Sequence, residues 1–439
     1  MKRLITLLLP VIVLCCFKIR AIPNEERIYI LSEVWRNVKE NFAFPEHFQN
    51  VNPDSLYRAY IPKVLNTKTD KEFTLLLQEF LAKFGDAHTR LIYNEPASVP
   101  IKFIGINDTI IVNNVTQDYS RFVPIGSQLM KVNNIPVLEY LRNNTFPFIS
   151  ASNDEWLFRK SLDSFLDGEP DSEVSLEFET PSSGIIKFSV PLIDKDSLNS
   201  MNWTKSDPEV IVIKELGNDI AYMKLSTCTQ PQISNKVFER NIDLLRNSKG
   251  VIIDIRGNRG GTEETWNPNI IKHIAPNGID IMSAVIMKCR VSNNSFNEYG
   301  KQVPNLQDYA DNIAMQPVNL GKNVIDWPDS LKFKSPVILL TDGYTGSAAE
   351  DLAFTIKNLN LGTIVGSHTI GCVSHPRTYL LPSGYKYLMS TWSFTNPDGS
   401  SLIENGIAPD FEVPFYVSDY INGKDPQLEK AIQLLINYN

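Results

Sequence analysis

Val337-Ile-Leu-Leu-Thr-Asp-Gly-Tyr-Thr-Gly-Ser-Ala-Ala-Glu350, continued by Asp-Leu-Ala-Phe-Thr-Ile356, is the stretch that decides the fold. Four apolar residues run into a turn holding Gly343 and Gly346, and Ser347 opens a helical run that reaches Leu359. Strand, glycine-rich turn and helix follow one another. That order sets one hydroxyl at a helix N-terminus, where the first N–H groups lack intrahelical acceptors and the dipole favours negative charge. From this segment alone the simpler reading is a cap, with Ser347 closing the helix end and Glu350 completing a capping box three residues on.

Upstream, Val210–Ile213, Ile220–Leu225 and Val251–Ile255 read as apolar strands and Val237–Leu245 as a helix. Strands alternating with helices predict an α/β core over 205–436. Within it, Gly250-Val-Ile-Ile-Asp-Ile-Arg-Gly-Asn-Arg-Gly-Gly261 carries a buried strand into a turn with three glycines. Backbone N–H groups approach a ligand closely there, which suits a developing oxyanion or a phosphate. No Gly-Lys-Ser/Thr follows and no GxGxxG occurs, so the nucleotide-binding motifs are absent. Taken alone, such a strand end is more often a plain tight turn.

From Asn24 to Phe84 apolar residues recur at three- and four-residue steps, which predicts an N-terminal helical domain over 22–95 with one helix starting at Thr69-Asp70. Short β-branched runs separated by Pro, Gly and Asn predict a small β-rich module over 97–195, followed by a polar linker from Asp194 to Pro208. Phe84-Gly-Asp-Ala-His-Thr-Arg90 lies at the junction of the two. His is the natural general base near neutral pH. A lone His is usually structural, however, and Asp86 is either its partner or a turn residue. A fourth segment, Ile403-Glu-Asn-Gly-Ile-Ala-Pro-Asp410, carries a carboxylate of the kind most often merely solvated.

Taken together and in order, these segments resemble one family. The strand with Asp254-Ile-Arg-Gly-Asn-x-Gly-Gly, the Thr-Gly-Ser-Ala-Ala-Glu turn, Gly366-Ser-His-Thr-Ile-Gly371, and Pro397-Asp-Gly followed by Glu-Asn-Gly-Ile-Ala-Pro-Asp410 are similar to the C-terminal-processing (tail-specific) serine peptidases and the tricorn core. Pro124-Ile-Gly-Ser-Gln-Leu-Met-Lys-Val-Asn-Asn-Ile-Pro-Val137 resembles their PDZ-like domain. The resemblance implies a crotonase/ClpP-like α/β core with Ser347 as nucleophile. It implies backbone N–H groups of Ala348 and of Gly260 or Gly261 for the tetrahedral intermediate. Ser–Lys peptidases carry a Lys after the Gly of the segment that reads here Thr369-Ile-Gly-Cys-Val373, so Cys372 stands where that Lys belongs and a Ser–Lys dyad is not expected. The tricorn-like arrangement uses a His and a Glu instead, and His88 and Glu404 occupy matching contexts. A Ser hydroxyl needs a positioned base, and the imidazole needs a third group to fix its tautomer. His368, close in sequence to the active loop, is the alternative base, and His375 a further one; His47 and His273 have no supporting context and read as surface residues.

The 439 residues carry 42 Lys and Arg against 50 Asp and Glu, a formal charge of −8. That balance argues against nucleic acid as a partner. Lys2 and Arg3 followed by the apolar stretch Leu4 to Phe17 read as a secretory signal peptide over 1–21, with an uncleaved membrane anchor or a lipidated Cys15 or Cys16 as alternatives. Periplasmic or extracellular location is therefore expected. Beyond that leader only Cys228, Cys289 and Cys372 remain, too few and too far apart for a disulfide framework or a zinc site, and no HExxH occurs. No metal and no cofactor are expected. The functional expectation is an exported serine endopeptidase acting on unfolded or C-terminal peptide segments, with a PDZ-like module accepting a strand or C-terminus. The alternatives are a binding protein on the same fold, carrying a hydrophobic ligand or peptide, and an inactive peptidase relative serving as scaffold. Oligomeric state is open.

Overall fold

The apolar steps after Asn24 become three helices in the computed structural model, which describes residues 21–289, 315–317, 321–403 and 405–438. They are α1 (Asn24–Asn41), α2 (Pro53–Asn66) and α3 (Asp70–Ala82). Thr69 caps α3, accepting from the Glu72 N–H at 3.1 Å. The signal peptide expected over 1–21 lies outside the described residues except for its last position. The helices do not close a core alone. Ile30, Val34, Phe73 and Phe80 pack in one cluster with Leu381, Tyr387 and Met389 from the far end of the chain. At about 1.5–3 kcal/mol per fully buried large apolar side chain, that shared core welds the helical unit to the C-terminal half.

The middle of the chain forms an antiparallel sheet in the order β1 (Ile101–Ile106), β2 (Thr109–Val115), β3 (Gln128–Val132), β4 (Glu173–Glu179) and β5 (Ile185–Pro191), with α4 (Val137–Asn144) and α5 (Asp154–Ser161) inserted between β3 and β4. The polar stretch after it is not a plain linker. Asp194 accepts from the N–H groups of Asp196 and Ser197 and caps a short helix, Lys195–Ser200.

The remaining elements are β6 (Ile211–Glu215), β7 (Ile220–Leu225), α6 (Pro231–Asn247), β8 (Gly250–Asp254), β9 (Ile286–Cys289), β10 (Val337–Thr341), α7 (Ala348–Asn358), β11 (Thr363–Gly366), β12 (Ser374–Leu380), β13 (Lys386–Thr395), β14 (Phe411–Glu412) and α8 (Pro426–Tyr438). One sheet runs β6-β7-β8-β10-β11-β14, parallel throughout except for β6 at its edge. Every residue of β8 and β10 is buried, as a parallel sheet covered on both faces requires. Val251, Ile253 and Leu339 pack toward α6 and α7, while Ile252, Ile338 and Leu340 pack toward α8. This is the expected α/β core.

Two features of this topology position the site. The glycine-rich turns leave the carboxyl ends of neighbouring parallel strands, where open α/β sheets hold their crevice. They are zipped together: the Gly346 N–H donates to Asn258 O at 2.9 Å, and the Gly257 N–H to Asp342 Oδ1 at 2.9 Å. The second feature is a separate sheet in which Arg90 and Leu91 pair antiparallel with Leu388 and Tyr387 of β13, itself paired with β12 and β9. That pairing carries His88 from the end of the helical unit to the C-terminal hairpin.

Candidate active site

Ser347 heads α7 with φ 53° and ψ −129°. An ordinary N-cap sits in the extended region. A non-glycine residue held in this strained stance costs about 1–3 kcal/mol and persists only where its surroundings impose it. The Glu350 half of the capping box is present, with the Ser347 N–H donating to Glu350 Oε2 at 3.0 Å, yet Glu350 does much more than cap. Its Oε2 also accepts the Cys372 N–H at 2.8 Å, while Oε1 accepts the Thr369 hydroxyl and the Gly371 N–H at 2.6 Å each. One fully buried carboxylate therefore ties the Ser347 elbow to the segment 369–372. Burial pushes its carboxyl up to about 7, against four hydrogen bonds that each favour the charged form.

The two glycines behind Ser347 differ. Gly260 has φ +95°, and a Cβ there would lie 2.6 Å from Ser347 Cβ, 2.7 Å from Gly346 O and 2.8 Å from Ala348 N. Only hydrogen fits in that space. The Gly260 N–H is already spent on Asn258 Oδ1 at 2.9 Å. The N–H groups of Ala348 and Gly261 have no acceptor among the described residues. Of the two glycine alternatives, Gly261 thus keeps a donor available. Gly260→Ala is expected to lower kcat/KM by about 10³ and to cost about 1–3 kcal/mol of stability through overpacking. Initial rates and urea unfolding check both, and an unchanged rate would mean that this close approach lies away from the working site.

His88 stands two residues before the Arg90–Leu91 strand. Its Nδ1 lies 2.8 Å from Ser374 Oγ, and Cys372 Sγ lies 3.2 Å from Nδ1 and 3.5 Å from Nε2. Since Cys372 and Ser347 share Glu350 Oε2 as acceptor, the imidazole belongs to the same cluster as the elbow. The hydrogen bond expected between His88 and the Ser347 hydroxyl is nevertheless not formed; the ring faces Ser374 and Cys372 instead. Catalytic hydrogen bonds are often long or misaligned without substrate. Burial, above all, holds the His88 pKa below its usual 6.5, with Asp86 opposing. Burial first, and then the nearby Glu350 and Asp86 charges, push the Cys372 thiol well up, so it sits there as a neutral S–H.

Glu404 lies outside the described residues. Its neighbours sit on the site: a Cβ at Gly371 would meet Ile403 O at 2.0 Å, and one at Gly406 would meet Thr369 O at 2.2 Å. His368 makes no hydrogen bond to Ser347. Its Nδ1 is 2.9 Å from Asn405 O, and it lines a cleft of about 1100 Å³ between the β-unit and the core, together with Arg159, Arg256, Arg259 and Tyr344. His375 packs edge-on against Phe394. His273 is buried, a correction to its reading as a surface residue: three aromatic rings surround it and its Nδ1 is 2.7 Å from Leu331 O. Among the described residues no cluster of His, Cys, Asp and Glu is arranged to hold a metal, and no helix is long and apolar enough to cross a membrane.

A strained hydroxyl on a strand–turn–helix elbow, backed by unpaired N–H groups and a neighbouring imidazole, is the equipment of a serine hydrolase. Residues 219–413 match peptidase family S41, and residues 23–82 match the tricorn protease C1 domain. The tricorn protease of Thermoplasma acidophilum is 34% identical over 106 residues, 24% of this chain and 10% of that protein. Tricorn protease homolog 1 of Streptomyces coelicolor is 24% identical over 273 residues, 61% of this chain and 22% of that protein. The chain thus spans about a tenth to a fifth of the length of these two relatives. Among solved structures, mature CPAF complexed with lactacystin superposes with a TM-score of 0.76 at 13% identity, covering 95% of this chain and 99% of that one, a likeness of fold. Residues 219–413 thus carry the match to peptidase family S41, and the chain is similar to the tail-specific, tricorn-like peptidases.

Glu350 as a hub, Asn258 and the hydroxyls of Ser374 and Ser390 were not assigned from sequence. Glu350 had a signal in its capping-box spacing; the two serines had none, because β12 and β13 were not anticipated.

Proposed function

We propose that this chain is an exported serine endopeptidase acting on unfolded or C-terminal peptide segments by a Ser-His-Glu mechanism. The observation that supports it best is the strained stance of Ser347, next to the Ala348 N–H and packed against Gly260, whose successor Gly261 likewise has an N–H with no acceptor among the described residues. His88 Nε2 takes the proton of the Ser347 hydroxyl as it attacks the scissile carbonyl, and returns it to the leaving amine. The charge on the carbonyl oxygen falls to Ala348 N–H and Gly261 N–H. Water then releases the acyl group by the same steps in reverse order. Glu404 is the acidic member by resemblance. The antiparallel sheet β1–β5 is taken as the PDZ-like module that receives a substrate strand or C-terminus, and the apolar leader directs export.

A fluorophosphonate probe with peptide mapping tests the reading. Labelling of Ser347 together with hydrolysis of an unfolded protein such as casein is expected. No labelling and no hydrolysis would favour a carrier or scaffold on this fold.

The pH profile is a second check. His88 is base-competent when neutral, and its lowered pKa keeps it so until the pH falls below 6.5. Glu350 takes a proton earlier, near about 7, and then no longer accepts at full strength from Ser347 and Cys372. kcat/KM is therefore expected to be level near about pH 8 and to fall on the acid side in two overlapping steps. A profile flat to about pH 5 would remove both assignments.

A further inference from the structure

Asp86 is buried, and its Oδ2 accepts from the Thr89 hydroxyl at 2.5 Å and from the Ser390 hydroxyl at 2.7 Å. Ser390 Oγ lies 2.7 Å from Ser374 Oγ, which in turn lies 2.8 Å from His88 Nδ1. Both serines are buried, Ser390 completely. A continuous line of short hydrogen bonds thus joins the Asp86 carboxylate to the imidazole through two hydroxyls.

Resting on the reading of His88 as the base, we propose that the Ser374–Ser390–Asp86 relay fixes the tautomer of His88 with its proton on Nδ1. The direction of every bond follows from counting protons. An ionised carboxylate only accepts, so Ser390 spends its single proton on Asp86. Ser374 then has to donate to Ser390, because Ser390 has none left to give. With the Ser374 proton spent, the contact with His88 is a hydrogen bond only if the ring nitrogen is the donor. Nδ1 therefore carries hydrogen, and Nε2 is left with the lone pair that a base requires. When Nε2 takes up a proton, the Nδ1–H remains on the relay and the aligned hydroxyl dipoles, ending on a negative charge, favour the imidazolium. No hydroxyl proton leaves its oxygen. Asp86, Ser390 and Ser374 are positioning residues. The ring gains a carboxylate partner two residues before it in sequence, supplied by strands from the other end of the chain.

Ser390→Ala tests this directly. Without Ser390, the Ser374 proton has only Nδ1 to bond, which selects the opposite tautomer and removes the lone pair from Nε2. In serine proteases the wrong tautomer costs about 10⁴ in kcat. Through two intervening hydroxyls a fall of about 10²–10³ is expected, with KM within about twofold. The decisive readout is the ¹⁵N spectrum of protein labelled at its five His residues, with His88 assigned from a His88→Gln variant. The wild type should show His88 protonated on Nδ1, and Ser390→Ala should show it on Nε2. If Ser390→Ala does not fold, Ser374→Ala carries the test, since it cuts the relay at the ring and should leave a mixture of tautomers with a smaller fall in kcat than the opposite tautomer would give. An Nε2–H ring in the wild type, or an unchanged tautomer and kcat in the variants, overturns the proposal. The spectrum needs no turnover. A wild type that hydrolyses nothing yet shows Nδ1–H would overturn the peptidase reading and leave the relay standing.

Discussion

Ser347→Ala is expected to lower kcat/KM by about 10⁴–10⁶, as loss of a triad nucleophile does, and to abolish fluorophosphonate labelling while the fold is retained. The argument is local. The Thr345 and Tyr344 hydroxyls of the turn are engaged with Ile255, Asp342 and Gly105, whereas Ser347 heads the helix where the Ala348 and Gly261 N–H groups have no acceptor among the described residues. Labelling that persists in a folded Ser347→Ala protein would remove Ser347 as nucleophile. A companion variant checks the backbone strain. Alanine keeps a Cβ at φ 53° and so keeps the strain, whereas glycine does not. Ser347→Gly should be equally dead but more stable than Ser347→Ala by about 1 kcal/mol, read as a higher urea midpoint. If the two midpoints coincide, the stance is not strained.

Glu350→Gln should be among the most damaging isosteric changes in the chain. Each carboxylate oxygen accepts two donors, so an amide nitrogen placed at either oxygen faces hydrogens it cannot accept. Breaking a buried, charge-assisted set of this kind costs about 3–5 kcal/mol. The loss should appear in the urea midpoint, and in activity as the Ser347 elbow and the segment 369–372 come apart. A variant within about 0.5 kcal/mol of wild type, where ordinary surface substitutions fall, would show that the four bonds are not cooperating.

Much of this was readable in the chain. β8 and β10 announce themselves by unbroken apolar runs, and the glycines after them by the space they leave. Ser347 stands out as a candidate because glycine-rich turns and helix starts have local signatures, whereas His88 is singled out only by resemblance. The arrangement around His88 was not legible, and the reason is specific. β12 contains Pro376, which argues against a strand, and the structure admits it only because the register shifts between His375 and Pro376. With that hairpin hidden, Ser374 and Ser390 were two unremarked serines. Glu350 carried the spacing of a cap, and spacing cannot report that Thr369, Gly371 and Cys372 return to the same carboxylate. His273 lacked any cue because burial among aromatic rings is a tertiary property.

The pairing of Arg90–Leu91 with β13 also sets a clock. Asp86 and Ser390 are 304 residues apart in the chain. At about 5–20 residues per second, a ribosome needs on the order of 15–60 s to pass from one to the other. Until Ser390 has been made, His88 lacks the hydroxyl relay that orients it. The groups that orient the imidazole are thus encoded 304 residues apart, and the arrangement around His88 forms only after both have been translated.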